Sequence, residues 1–278
     1  MWHRELTAGW LPPSIGDDTL VVPIEEGGIA GLDASTSRVN WRAVQELASG
    51  FGGASPLVVD ATVYMPLGVA LYAIDVATGA IRWRFPTGLP SESTPAVAGE
   101  TVSFTGDDTY LYALDATDGT QRWRRKTDAQ IRANVTTAAA SVYVATKTGT
   151  VYAVKRETGA VRWTTGLSSE ADDGVVRPGM IATDGSRIYV LFDDALVALA
   201  AATGDQCWRR RDVPVRYNAG LAICDGAVYV YRRDGLDVLE AATGEERRRI
   251  ELDDYRAGPT IADGALYAIV NQELVRYQ

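Results

Sequence analysis

Histidine and cysteine are almost missing from this sequence: its 278 residues include one His and two Cys. A lone His3 cannot anchor a histidine-based metal site, any Ser/His/Asp triad would depend on it, and no CxxC pair is present to hold zinc. Cys207 sits beside Trp208 on an outer strand and Cys224 falls in the inner strand of the following unit, so the expectation is two buried free thiols and no disulfide. No apolar run reaches the roughly 18 residues of a membrane span, and no charged start leads into a short apolar stretch. Helical 3.6-residue periodicity is absent, and no Gly-rich loop follows a strand and opens a helix to cradle phosphate. Positive charge is also in deficit, with a formal net charge of −9. That excludes general nucleic-acid binding and a basic membrane-surface patch, while leaving room for a local basic site.

What is present is repetition. In LYAIDVATGAIRW, Leu71 to Trp83, the residues Leu71, Ala73 and Asp75 alternate with Tyr72, Ile74 and Val76, Thr78-Gly79 supplies turn chemistry, and Ile81 and Trp83 begin a second alternation. This is a hairpin, and Gly accepts the positive φ of its tight turn. LDASTSRVNW from Leu32, LDATDGTQRW from Leu114, VKRETGAVRW from Val154, LAAATGDQCW from Leu199 and LEAATGEERR from Leu239 align on it without a gap. The place of Asp75 falls at Asp33, Asp75, Asp115, Lys155, Ala200 and Glu240, at spacings of 42, 40, 40, 45 and 40 residues. A period of about 40 residues filled with short strands predicts propeller blades of four strands each.

Each unit carries a further strand upstream: VYMPLG from Val63, VSFTGD from Val102, VYVATK from Val142, IYVLFD from Ile188, VYVYRR from Val228 and LYAIVN from Leu266. After the last of these, LVRYQ brings Gln278 to the place of Asp75, and the sequence stops just before the turn. Trp2 then reads as the missing seventh docking residue, and residues 1–6 as the strand that completes the last blade and closes the ring, which removes two exposed sheet edges. The expectation is an all-β, seven-bladed propeller of four-stranded antiparallel blades, occupying residues 1–278 as one domain.

The pattern YAIDVATGAIRW, with Thr-Gly followed by a Trp four residues after the Gly, resembles the propeller repeat of the quinoprotein alcohol dehydrogenase family, the pyrroloquinoline-quinone-like repeat. Thr78-Gly79-Trp83, Thr158-Gly159-Trp163 and Thr203-Gly204-Trp208 match in full; Asp118-Gly119-Trp123 lacks the Thr, Thr36-Ser37-Trp41 the Gly, and Thr243-Gly244-Arg248 the Trp. The resemblance implies that Trp2, Trp41, Trp83, Trp123, Trp163 and Trp208 dock neighbouring blades together. Catalytic members resemble one another in an adjacent Cys-Cys pair over the quinone and in acidic and amide calcium ligands. This sequence has no Cys-Cys pair. Shorter relatives that keep the propeller without the cofactor include a lipoprotein scaffold of bacterial outer-membrane protein assembly and sensor domains of membrane-anchored bacterial kinases. The resemblance therefore favours a cofactor-free binding or scaffold module that meets another protein through its loop faces, as an extracytoplasmic monomer in a prokaryote. A quinone-dependent oxidoreductase using pyrroloquinoline quinone and calcium is the alternative.

Propellers also bind ligands where the loops entering each inner strand converge on the central channel. Eleven residues upstream of the position of Tyr64 in each unit, with one extra step before Tyr189, stand Trp10, Gly53, Glu92, Arg132, Arg177, Asn218 and Arg256. Guanidinium groups confined there suit an anionic or sugar-acid ligand, because the planar fork meets carboxylate or phosphate oxygens in pairs. A register slip of one residue would turn all of them away. Three other features stand out. Arg209-Arg210-Arg211 reads as a solvated strand face, Asp107-Asp108 and Asp193-Asp194 as turn formers before calcium ligands, and the insertion Ser168 to Gly179 as the loop to watch for a partner.

Overall fold

The computed structural model describes residues 13–24, 28–43, 54–91, 93–131, 133–168, 178–192, 195–211, 213, 220–232, 235–251, 260–262, 265–270 and 273–277. Among these there is no helix, and 27 strands follow one another in chain order. They form six four-stranded sheets and one three-stranded sheet, each an antiparallel meander of consecutive strands. The second sheet is typical: Leu57–Val59, Thr62–Leu67, Ala70–Asp75 and Ile81–Pro86. The three-stranded one is Thr260–Ala262, Ala265–Val270 and Glu273–Tyr277, while residues 1–6 and Trp2, expected to complete it, lie outside the described residues.

The six hairpins aligned on the repeat form, with one added feature. In the second sheet Ala73 pairs with Trp83 but Ile74 pairs with Ile81, so Arg82 is an extra residue on the outer strand. The same bulge recurs opposite Trp41, Trp123, Trp163, Trp208 and Arg248. A bulge adds local twist and re-aims the side chain beside it. Here that side chain is the Trp.

The chain divides into two compact units, residues 1–135 with 156–159 and residues 136–155 with 160–278. In the first unit, sheets one and two share a core of Val21, Ile29, Val63, Met65, Leu67 and Ile74. Sheets two and three share another around Tyr64, Leu71, Val102, Phe104 and Leu114. In the second unit, sheets five and six pack through Tyr189, Leu191, Leu196, Val228, Val230 and Leu239. Second and third strands are thus buried on both faces, which is why their alternation runs apolar against apolar. The first strands of successive sheets also touch: Ser14–Gly16 meets Leu57–Val59 in the first unit, and in the second unit Pro178–Thr183 meets both Thr136–Ala138 and Leu221–Cys224. Fourth strands lie farthest from those contacts and are exposed at most positions, as in Gln121–Lys126 and Glu246–Glu251.

Candidate functional site

The recurring local arrangement is a Trp set against the turn of the next repeat. In the first unit the indole N–H of Trp41 donates to Val76 O at 2.9 Å, that of Trp83 to Ala116 O at 2.9 Å, and that of Trp123 to Arg156 O at 2.7 Å. In the second unit Trp163 donates to Ala201 O and Trp208 to Ala241 O, both at 3.0 Å. Each ring also lies on the turn glycine of that next repeat. A Cβ placed on Gly119 would meet the Trp83 ring at 2.7 Å, and one on Gly244 would meet the Trp208 ring at 2.7 Å. The glycine therefore serves two ends: a positive φ of 74° at Gly119, and bare backbone under an indole. A second aromatic often joins. Tyr143 and Tyr189 donate their hydroxyls to the same carbonyls, Ala201 O and Ala241 O, and tilt against Trp163 and Trp208 with centroids 5.9 Å apart.

The turns are held by acid. Asp75 Oδ1 accepts from the Ala77 and Thr78 N–H groups and the Thr78 hydroxyl, while Oδ2 takes Arg82 at 2.7 Å. The Arg82 bond, then that of Thr78, brings the Asp75 carboxyl down to about 2. Ser35 and Thr36 bring Asp33 down to about 2 in the same way. Asp115 is lowered through Arg122 at 2.7 Å. Arg82 and Arg122 are the bulge residues of their strands, so bulge and turn are tied together.

The channel-mouth residues Trp10, Gly53, Glu92, Arg132, Arg177, Asn218 and Arg256 all lie outside the described residues. Their described neighbours in the first unit are stitched together: the buried Ser93 donates its Oγ to Ala133 O at 3.1 Å, and among half-buried groups the Ser55 N–H donates to Thr94 Oγ1 at 3.2 Å and Gln130 Nε2 to Asp107 O at 3.1 Å. A cleft of about 310 Å³ opens between sheets two and three, lined by Asp60, Thr62, Tyr64, Arg82, Val97 and Thr117 among others. Its Arg82 is engaged by Thr62 Oγ1 and Asp75, both at 2.7 Å, and Tyr64 reaches Ala116 O at 3.5 Å. The cleft offers hydrogen bonds to a small polar molecule and no nucleophile–base pair.

Two expectations change here. Cys207 is an exposed free thiol and Cys224 a partly buried one, not a buried pair. Cys207 is the extra residue of the bulge beside Trp208, unpaired with the neighbouring strand. Arg209 and Arg210 are likewise not a simple solvated face. The Arg209 guanidinium lies 5.2 Å from the Phe192 ring centroid and donates to Ser168 O at 3.2 Å; Arg210 pairs with Glu246 at 2.7 Å and donates to Gly244 O. They cover apolar and carbonyl groups that the outer strand would otherwise expose. Asp108 acts as a turn former, accepting from the Tyr110 N–H at 3.1 Å and from the Tyr112 hydroxyl. Burial first, then that bond to Asp108, raises the Tyr112 hydroxyl to about 12. Asp193-Asp194 and nearly all of the Ser168 to Gly179 insertion lie outside the described residues.

Among the described residues no three His, Cys, Asp or Glu side chains cluster as metal ligands, and no helix is long and apolar enough to cross a membrane. Cys207 and Cys224 are both free and not adjacent in sequence.

Comparison with known proteins follows the repeat. A family model described as "Outer membrane protein assembly factor BamB" matches in four overlapping stretches, residues 1–106, 26–176, 67–211 and 107–277. No curated protein matches the sequence. Among solved structures, BamB from Moraxella catarrhalis superposes with a TM-score of 0.74 at 23% identity, over 95% of this chain and 80% of that one. Quinohemoprotein alcohol dehydrogenase ADHIIG from Pseudomonas putida HK5 gives 0.72 at 15% identity, over 92% of this chain and 61% of that one. The quinohemoprotein alcohol dehydrogenase from Comamonas testosteroni gives 0.72 at 14%, over 93% and 62%. The chain thus spans under two thirds of the dehydrogenases, and at such identities the likeness is one of fold. Repeats, sheets and matched stretches agree: the chain belongs to the BamB-type family of pyrroloquinoline-quinone-like β-propeller repeat proteins.

Proposed function

We propose that this chain is a seven-bladed, non-enzymatic scaffold that binds another protein through its loop faces, on the extracytoplasmic side of a prokaryotic cell and without a cofactor. The observation that carries this reading is the extent of the BamB-type match, residues 1–277 in overlapping stretches. The physical support is the seam construction. Indole–carbonyl bonds and glycine floors join successive repeats within each unit along the outer strands, and loops carried on such a frame are suited to recognition. The test has two arms. Cross-linking in the native host followed by reconstitution of the captured protein with the purified chain should give a saturable one-to-one complex. Incubation with pyrroloquinoline quinone and calcium should leave no quinone absorbance co-eluting with the protein and no alcohol-dependent dye reduction. Retained quinone with turnover overturns the scaffold reading.

The similarity to two quinohemoprotein alcohol dehydrogenases supports the second reading, an oxidoreductase using that quinone with calcium. The channel mouth belongs to either reading as a ligand site. There Trp10, Glu92, Arg132, Arg177, Asn218 and Arg256 would receive an anionic or sugar-acid ligand. Calorimetric titration of galacturonate and citrate into the chain and into Arg132→Ala/Arg177→Ala decides it: binding lost in the double variant supports the site, and binding absent or unchanged removes it.

A further inference from the structure

The fourth strand of a blade is an open edge, and edges differ in what they offer. In the third sheet the outer strand Gln121–Lys126 ends the order, with the sheet on one side only. The Thr127 N–H donates to Thr109 O, and Tyr110 pairs with Lys126 and Tyr112 with Arg124. Antiparallel ladders alternate inward and outward main-chain groups, so the N–H and C=O of Arg124 and Lys126 point away from the sheet along the free edge. Their side chains share one face, both exposed. Arg124 rests 4.9 Å from the Tyr110 ring centroid, and neither Arg124 nor Lys126 forms an ion pair among the described residues. The whole strand carries no acid: QRWRRK.

The equivalent positions on other described edges differ: in the fifth sheet they are Arg209, whose guanidinium lies over Phe192 and donates to Ser168 O, and Arg211, one residue past the strand end at Arg210. In the second sheet they are Arg84 and Pro86, and proline has no N–H to give. In the fourth they are the uncharged Thr164 and Gly166. In the sixth they are Arg249, tied to Asp237 at 2.8 Å and to Glu246 at 3.3 Å, and the acidic Glu251. Edge cations normally discourage pairing, and two copies of Gln121–Lys126 set antiparallel would face cation with cation. The same charges favour an acidic strand, since opposite charges directly across a ladder stabilise it.

We propose that the edge Gln121–Lys126 is a docking site for an extended segment of a partner protein carrying Asp or Glu at alternate positions, which adds as a fifth strand. Main-chain bonds to Arg124 and Lys126 supply affinity, and the two carboxylates that fall opposite their side chains supply selection. The proposal deepens the scaffold reading by naming the chemistry of its partner, and it rests on that reading.

A capped, fluorescein-labelled decapeptide of alternating Glu and Val is the probe, followed by anisotropy on the full chain. Expected are one-to-one binding that weakens with salt, no binding of the Lys-Val counterpart, and a loss of about tenfold or more in Arg124→Glu/Lys126→Glu. Lys126→Pro removes one outward N–H without touching the inner ladder, and should weaken binding comparably, whereas Thr164→Pro on the outer strand of the fourth sheet should not. Full affinity in Lys126→Pro overturns strand addition, and so does equal binding of a peptide with its Glu residues in one block. Complete displacement of the probe by phosphatidylglycerol vesicles, or a dimer in sedimentation that Lys126→Pro dissolves, overturns the acidic segment as occupant. Quinone turnover sinks the scaffold reading whatever the peptide does; a silent peptide alone removes only this edge.

Discussion

Gly119 and Gly88 have the same φ, 74°, and differ in what surrounds them. A Cβ on Gly119 would meet the Trp83 ring at 2.7 Å, while one on Gly88 would meet nothing within 4 Å. Gly88→Ala should therefore show the cost of left-handed backbone alone, about 1 kcal/mol, and Gly119→Ala that cost plus a displaced indole, about 2–4 kcal/mol in total. Urea unfolding of the two variants measures the difference, and equal values would remove the glycine floor as a contributor. Trp83→Phe bears on the same contact from the other side, leaving Ala116 O without its 2.9 Å donor and costing about 1–3 kcal/mol. The turn role of this glycine was legible in the sequence, because Thr-Gly precedes a second strand at a fixed offset. Its role under the Trp of the preceding repeat was not, because no local pattern tells which side chain from some 35 residues away will lie against a turn. The same limit applies to Arg209, whose place over Phe192 depends on packing between strands and not on its own neighbours in sequence.

At the scale of the element, the repeat was nearly complete on the page: hairpins, upstream strands and outer Trp residues fall where alternation and spacing put them. What spacing could not show is how one repeat varies from its neighbours. Ser103 occupies the strand position held by Tyr64, Tyr143 and Tyr189, each of which sends its hydroxyl toward the carbonyl that the Trp also bonds. Ser103 is fully buried, and its hydroxyl, like that of Thr105, has no hydrogen-bond partner. Trp123 keeps its bond to Arg156 O at 2.7 Å without an aromatic companion at the Ser103 position. Ser103→Tyr restores the pattern of the other repeats, giving Arg156 O a second donor and Trp123 a ring to tilt against. The expected gain is about 0.5–1.5 kcal/mol, read as a higher Tm, with Tyr143→Ser as the reciprocal loss. A lower Tm for Ser103→Tyr would show that this space is already filled. The channel mouth belongs to the same scale. Its residues were chosen by strand register and lie outside the described residues.

Across the molecule, the turn carboxylates make stability a function of pH in a direction that can be worked out. Asp75 and Asp33 are brought from 3.8 to about 2, the first chiefly by Arg82 and the second chiefly by Ser35. Asp115 is lowered chiefly by Arg122. At Asp184 burial pulls upward, but the Tyr189 hydroxyl and the Arg187 and Ser186 N–H groups prevail and lower it. A carboxyl whose folded pKa lies below its unfolded value binds fewer protons when folded. Its contribution is complete above the unfolded value near 4 and is lost as pH falls through the folded value. Stability should then be flat from neutral pH to about 4 and decline between about 4 and 2. Three of these groups, Asp33, Asp75 and Asp115, belong to the first unit, whereas the corresponding turns of the second carry Lys155, Ala200 and Glu240. Replacing all three by Asn should lower Tm at neutral pH and flatten its dependence below pH 4, because Asn keeps the turn acceptor but loses the charge that Arg82 and Arg122 bind. Calorimetry of both proteins at a series of pH values decides it. A variant that loses Tm in parallel with the parent down to pH 2 would place the acid-sensitive groups elsewhere than in the turns.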